Sequence, residues 1–417
     1  MKIAIIGTGI SGMTAAWLLH QKHELTVFEA NPQIGGHTHT VDVDVGGRVY
    51  AVDTGFIVFN DWTYPNFIHL LDELGVASQP TTMSFSVHCE KTGLEYNGHN
   101  LNSLFVQRRN LLRPSFYRML RDILRFNRES LTLLEGDDNT TSLREYLEQH
   151  SYSREFIEHY IIPMGAAVWS AEPDLLSAIP ARYFVQFFKN HGLLSLNRRP
   201  QWRVIQGGSR CYAERLTAPF RDRVRLACPV EWVSRQTNQV QIKPRGSEIE
   251  RFDAVIIATH SDQALKLLAD PSALEQEILG AIPYQENEVV LHTDISLLPR
   301  RRLAWAAWNY RILRQEQRRV AVTYNMNILQ SLEAPETFCA TLNPSNVINP
   351  ASIRYRTIFH HPVFTPRAVA AQQRRDEING INRTWYCGAY WGYGFHEDGV
   401  NSARAVCQDF TRERLAT

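Results

Sequence analysis

Apolar runs with little polar interruption recur along the chain and set its plan. Lys2–Ile6 and Ala254–His260 have the composition of strands buried on both faces, and Glu24–Phe28 and Thr384–Gly388 read as further strands. Paired runs predict hairpins: Thr40–Val45 with Arg48–Val52 around Gly46-Gly47, and Phe85–Tyr96 turning at Lys91-Thr92-Gly93. Residues 202–205, 224–233, 239–243 and 249–252 read as strands, as do 288–293, 303–310 and 319–325. Helical spacing appears in Met13–Leu19 and in 66–74, where Phe67, Leu70, Leu71 and Leu74 share a face. Residues 101–200 are mostly helical. Within them Phe116, Leu120, Ile123 and Leu124 form a stripe among arginines, and Ser142-Leu143-Arg144-Glu145 is a capping box that opens another helix. The last helix is expected to open at Gly399.

The first thirty residues carry the strongest chemistry. Gly7-Thr8-Gly9-Ile10-Ser11-Gly12 lies between a strand and a helix, and the next strand ends on Glu29. This is the dinucleotide-binding arrangement: a tight turn, a close approach for the diphosphate, a helix N-terminus aimed at it, and an acid for the ribose. Two more glycine-rich turns follow strands, near Gly207 and near Gly394. Three such turns suit a large cofactor with two ends better than an NAD dehydrogenase.

The predicted fold class is therefore α/β, a Rossmann-like nucleotide domain that is interrupted, with a second α+β substrate domain. The nucleotide domain takes residues 1–60, 200–265 and 375–417; the substrate domain takes 61–199 and 266–374. At 417 residues two domains are the natural division. A net charge of +1 gives no general pull toward nucleic acid, and 44% hydrophobic with 21% charged residues describes an ordinary soluble globular chain. The six cysteines have neither metal-ligand nor redox spacing, so no metal site is expected. With the nucleotide motif at residue 2 and no apolar run long enough to span a bilayer, the expected location is cytoplasmic.

Taken together, the Gly7–Gly12 motif, Glu29, Gly35-Gly36, Asp53-Thr54-Gly55, Ala258-Thr259-His260 and Gly388…Gly394–Ala403 resemble the flavin-containing amine oxidase, phytoene desaturase and protoporphyrinogen oxidase superfamily. Tyr160–Ser170 resembles the corresponding helices of its oxidase and desaturase branches. The type is that of bacterial predicted NAD/FAD-binding amine oxidoreductases. The resemblance implies a non-covalent FAD. Gly7, Gly9, Ile10, Ser11 and Gly12 would hold its diphosphate, Glu29 and Ala30 its ribose end, and Val230 its adenine. Gly35, Gly36, His37, Thr38 and Gly55 would line its middle, with His37 standing where the family often has Arg; Ala258, Thr259 and Gly388 close the site. Asp398, Gly399 and Val400 would present N–H groups to the flavin pyrimidine.

The candidates beside the ring are His396, Tyr390 and Trp391, with His396 read either as a proton carrier or as a structural histidine. Trp308 and Tyr310 would share a strand face, as pocket wall or as core, with Trp305 on the other side. Amine oxidases of the group often keep a lysine near the flavin. Only Lys243 and Lys266 lie late in this chain, which favours a dehydrogenase or desaturase of a hydrophobic, lipid or fatty-acyl substrate over an amine oxidase. A non-redox isomerase or mutase is the other alternative, and the electron acceptor stays open. The Arg-rich segment 108–128 reads either as a solvated face or as a peripheral contact with the inner face of a membrane.

Overall fold

The computed structural model describes residues 1–314, 319–343 and 345–412. The expected segments 266–374 and 375–417 thus each include residues outside the described set.

The apolar runs assemble into one five-stranded parallel sheet in the order Val224–Arg225, Glu24–Phe28, Lys2–Ile6, Ala254–Ile257, Thr384–Tyr386. Its central strands are buried on both faces, which is why their sequences lack alternation. The helices Ile10–Leu19 and His396–Arg412 pack against each other on one face, with Ala15, Ala16, Ala403 and Val406 buried between them and the strands.

The strand expected over 224–233 is two strands. Pro229 lacks an N–H, and Ala227 turns the chain at φ 50°, so pairing stops there. Val230–Arg235 then enters a separate three-stranded antiparallel sheet with Val240–Pro244 and Glu250–Phe252.

The second large sheet has seven strands: Ile353–Pro362, Tyr284–His292, Cys339–Leu342, Val322–Asn325, Trp308–Ile312, Phe85–Cys89 and Leu94–Asn97. Strands from residues 85–97 and from 284–362 meet along the parallel pairing of Trp308–Ile312 with Phe85–Cys89. The expected strand 303–310 begins only at Trp308. Asn309 explains the delay: its side chain accepts from the Ala306 N–H (2.9 Å) and donates to the Ala306 carbonyl (2.7 Å), so that residue cannot pair with a neighbouring strand. Helices between Pro114 and Asn190 cover this sheet through a core containing Phe116, Phe126, Phe156, Phe184 and Val289. Within them the chain widens at Ile157–Ile161, just ahead of Pro163, where an ordinary helical hydrogen bond would be missing. The capping box at Ser142 forms as expected, with Glu145 N–H to Ser142 Oγ at 3.2 Å. Among the described residues no helix is long and apolar enough to cross a membrane.

Asp53 joins the parts. Fully buried at the end of the strand Arg48–Asp53, it accepts from Thr40 Oγ1 (2.6 Å), the Ser209 N–H (2.9 Å) and Oγ (2.8 Å), and Gln330 Nε2 (3.0 Å). The turn near Gly207 therefore serves as an anchor for this carboxyl. Burial pushes the Asp53 carboxyl up to about 6 despite these hydrogen bonds, and burial likewise pushes Asp398 up to about 7. Both hold a proton in the folded chain at a pH where the unfolded chain has lost it. Their contribution to stability therefore falls as pH rises from about 4 through 6 for Asp53 and through 7 for Asp398. Thermal melting across this range should show Asp53→Asn flattening the lower part of the dependence; an unchanged profile would contradict the assignment.

Candidate active site

A single cavity of about 1010 Å³ runs from the first glycine turn to the seven-stranded sheet. That is the upper end of the range for small-molecule sites, about 300–1,000 Å³. Gly7, Gly9, Ile10 and Ser11 line one end with Glu29, Ala30, Gly35, Gly36, His37, Gly55, Val230, Ala258 and Thr259; Gly388, Tyr390 and His396 also reach the cavity. Gly36 sits at φ 59°, and a Cβ there would lie 3.1 Å from Gly9 Cα, so the two glycine turns touch.

Six expected residues are not among those lining the cavity: Gly12, Thr38, Trp391, Asp398, Gly399 and Val400. Gly12 is packed helix-on-strand, its missing Cβ only 2.0 Å from the Gly7 carbonyl oxygen. Thr38 is bound to the Tyr212 hydroxyl. Trp391 donates to the Tyr386 carbonyl at 3.2 Å. The last three follow from one displacement, because the final helix opens at His396, three residues earlier than expected. The Gly399 N–H is consequently used within the helix, donating to the Phe395 carbonyl at 3.1 Å. Gly399 packs on Ile10 and Ser11, and Val400 is core. The Asp398 carboxyl turns back to accept from the Tyr393 and Phe395 N–H groups, both at 3.0 Å. It is Gly394, Phe395 and His396 that face the cavity.

Glu29 stands where a ribose would be met, yet it is heavily engaged. One carboxylate oxygen accepts from the Thr8 N–H (2.9 Å) and hydroxyl (2.5 Å), the other from the Asn31 N–H (2.8 Å) and amide (3.1 Å). It ties the glycine turn to the neighbouring strand, and a ribose hydroxyl would share or displace an Asn31 contact.

His396 is buried, with its ring stacked on Phe56 at 3.5 Å and Nε2 within 2.8 Å of the Tyr212 hydroxyl and 3.2 Å of Thr38 Oγ1. Burial holds it well below its ordinary range. Burial therefore favours the neutral ring, which is placed to orient the Tyr212 and Thr38 hydroxyls. Burial likewise lowers His37 to about 4 and both His260 and His361 to about 3. With His360, these imidazoles make a wall that sequence reasoning did not assemble, because His260 and the pair His360-His361 lie 100 residues apart.

The other end of the cavity is largely apolar, with Ser170 and Thr357 as polar members. Ile57, Val58, Val168, Val289 and Leu342 alternate there with Trp169, Trp308, Tyr324, Phe364, Tyr393 and Phe395. Trp308 is thus pocket wall, whereas Tyr310, two residues on, is core. Trp305 donates to the Pro299 carbonyl (2.8 Å) and is not among the lining residues. The Asp, Glu and Lys side chains among the described lining residues are Glu29 and Lys266, both on elements of the glycine-turn end. Lys266 is exposed and paired with Asp262 at 2.9 Å; Lys243 does not line the cavity.

The model of the family described as flavin containing amine oxidoreductase matches residues 10–294. The chain belongs to that family. Human amine oxidase [flavin-containing] B is 25% identical over 307 residues, 70% of this chain and 55% of that protein. Mitochondrial protoporphyrinogen oxidase of Nicotiana tabacum is 26% identical over 188 residues, 42% of this chain and 34% of that protein. The chain spans about half the length of the amine oxidases it matches. Among solved structures, the CLA-producing fatty acid isomerase from P. acnes superposes with a TM-score of 0.70 at 15% identity, covering 98% of both chains. Cyclohexylamine oxidase from Brevibacterium oxydans gives 0.69 at 16% identity, covering 98% of this chain and 99% of that one. The flavoprotein fold of the family and its FAD cofactor agree with the cavity. It is lined both by the first glycine turn and by residues at the start of the last helix, and the N-terminus of the helix Ile10–Leu19 opens onto it. Cys228 is the lining cysteine among the described residues, while Cys387 is fully buried and does not line the cavity.

Proposed function

We propose that this chain is an FAD-dependent oxidoreductase of the dehydrogenase or desaturase type, taking hydride from a hydrophobic, lipid or fatty-acyl substrate. The observation that carries the reading is the largely apolar end of the cavity, where the described lining residues supply no carboxylate to pair an ammonium and no lysine. Bound FAD supplies the two-electron acceptor. What the chain does is hold and exclude. The glycine turn and the helix start at Ile10 would hold the diphosphate, Val230 the adenine end, and Gly394–His396, leading into the last helix, would border the cofactor's other end. Trp169, Trp308, Tyr324 and Phe364 keep water from the reacting C–H bond and press it into one orientation, which hydride transfer requires more than a protein base. The Tyr324 hydroxyl, pushed by burial above its ordinary range, stays protonated and can donate to a substrate carbonyl or carboxylate.

Anaerobic mixing of the FAD-loaded protein with fatty acids, acyl phospholipids and primary amines tests this. Bleaching of the oxidised flavin by an acyl substrate is the expected result; bleaching by amines alone would overturn it. The likeness to a fatty acid isomerase supports one second reading, isomerisation without net redox change. In that case an acyl substrate is converted with no external electron acceptor consumed.

A further inference from the structure

We propose that one face of the helical layer is a docking surface for an anionic lipid bilayer. The face is built from the short helix Leu101–Leu104, the turn Arg108–Leu112, the outer stripe of the helix Pro114–Glu129 and the turn Arg302–Ala304. These pieces are neighbours: the turn Arg302–Ala304 packs on Leu101–Leu104, the Tyr117 hydroxyl donates to the Leu111 carbonyl (3.0 Å), and the Phe105 and Tyr117 rings lie 6.2 Å apart.

Large apolar side chains stand out into solvent here. Leu112 is 89% exposed and Leu101 75%, while Leu111, Tyr117, Leu124 and Leu303 are each about half exposed. Single exposed leucines are ordinary; this many on adjoining elements mark an interaction surface.

The arginines of the segment divide by helical position. Arg118 and Arg125 turn back onto the protein, Arg118 to Glu155 and Arg125 to Glu129 (3.1 Å) and over the Tyr152 ring (3.9 Å). Arg121 and Arg128 alternate with Tyr117 and Leu124 at spacings of three and four on the other face, so cations and apolar tips share one stripe. Arg108, Arg113 and Arg302 border it. The nearby acids are outnumbered by the arginines and engaged by them: buried Asp122 lies 3.6 Å from Arg121 and 3.5 Å from Arg125, Glu129 pairs with Arg125 and Arg128 (3.3 Å), and Glu95 is buried against Arg301.

Charge complementarity names the occupant. An in-plane amphipathic surface with leucines at its tip and arginines around it matches the headgroup boundary of an anionic leaflet, where the long cationic side chains reach phosphates as the leucines insert. A second copy of this chain docking by two-fold symmetry would set arginine against arginine. The inference concerns binding alone and does not depend on which substrate the cavity takes.

Flotation of the full chain, loaded with FAD, tests it with two vesicle preparations: phosphatidylcholine alone, and phosphatidylcholine with phosphatidylglycerol. Flotation with the anionic vesicles, released by raised salt, is expected. The double variant Leu111→Glu, Leu112→Glu and, separately, Arg121→Glu with Arg128→Glu should each weaken binding about tenfold or more, on the scale of contributions from surface cations and inserted apolar side chains. FAD binding by the variants, measured alongside, shows that they are folded. The proposal is overturned if the parent fails to float with anionic vesicles at low salt. It is equally overturned if the variants float as well as the parent, or if sedimentation shows a dimer that the leucine variant disperses.

Discussion

Gly9→Ala should fold normally and lose FAD. Gly9 has φ −64° and ψ 174°, a conformation open to any residue, and a Cβ built on it meets no atom within 4 Å. Losing glycine at a helix N-cap costs roughly 1 kcal/mol, partly offset by the reduced freedom of the unfolded chain, about 0.4–1 kcal/mol. The unloaded protein's melting temperature should therefore scarcely move. Where the methyl goes is the cavity, against the diphosphate path. Affinity for FAD should fall about a hundredfold, equivalent to roughly 3 kcal/mol. Fluorescence titration of the unloaded protein measures the affinity, and melting without FAD measures the fold. Unchanged affinity would remove the glycine turn from the cofactor site. An equal loss of both would mean that the turn is needed for folding itself.

The largest effect on stability should come from Glu275→Ala. Arg235 and Glu275 are both buried and make a two-pronged contact at 2.8 and 2.9 Å, joined by the Tyr386 hydroxyl at 2.5 Å and by Asp270 at 2.8 Å. The group ties the three-stranded sheet to the helix Ala273–Leu279 and to the edge strand of the parallel sheet. Removing the carboxylate leaves a guanidinium buried with weakened compensation, a change that typically costs about 3–5 kcal/mol. Burial by itself would raise the Glu275 carboxyl, but the hydrogen bonds from Arg235 and Tyr386 prevail and bring it down to about 2. Its folded value is thus depressed, so its contribution is complete above about pH 4.5 and is lost as pH falls toward 2. Denaturant melts at neutral pH should show the loss, and the gap between parent and variant should close in acid. A loss below about 1 kcal/mol at neutral pH would mean that the pair is no better than a surface contact.

Much of the nucleotide-binding sheet was legible because its information is local. Lys2–Ile6, the glycine turn and Glu24–Phe28 follow one another within thirty residues, and each step has its own steric reason. The boundaries that shifted did so where a side chain or a missing N–H intervened: Asn309 capturing Ala306, and Pro229 interrupting a strand. At the last helix, the Asp398 carboxyl bound to the Tyr393 and Phe395 N–H groups, and the helix began before it. That moved the cavity-facing backbone from Asp398–Val400 to Gly394–His396.

By itself, the sequence determined the glycine turns, the parallel strands, the capping box and a family resemblance that implied FAD. These depend on spacing over a few residues, which the chain carries wherever it goes. The character of the substrate end was decided only in three dimensions. Val168, Val289, Trp308, Tyr324 and Leu342 come from five separate elements, and a side chain facing a cavity has the same apolar chemistry as one facing a core. Nothing local distinguishes Trp308 from Tyr310; the elements packed around the sheet leave space beside one and fill the space beside the other.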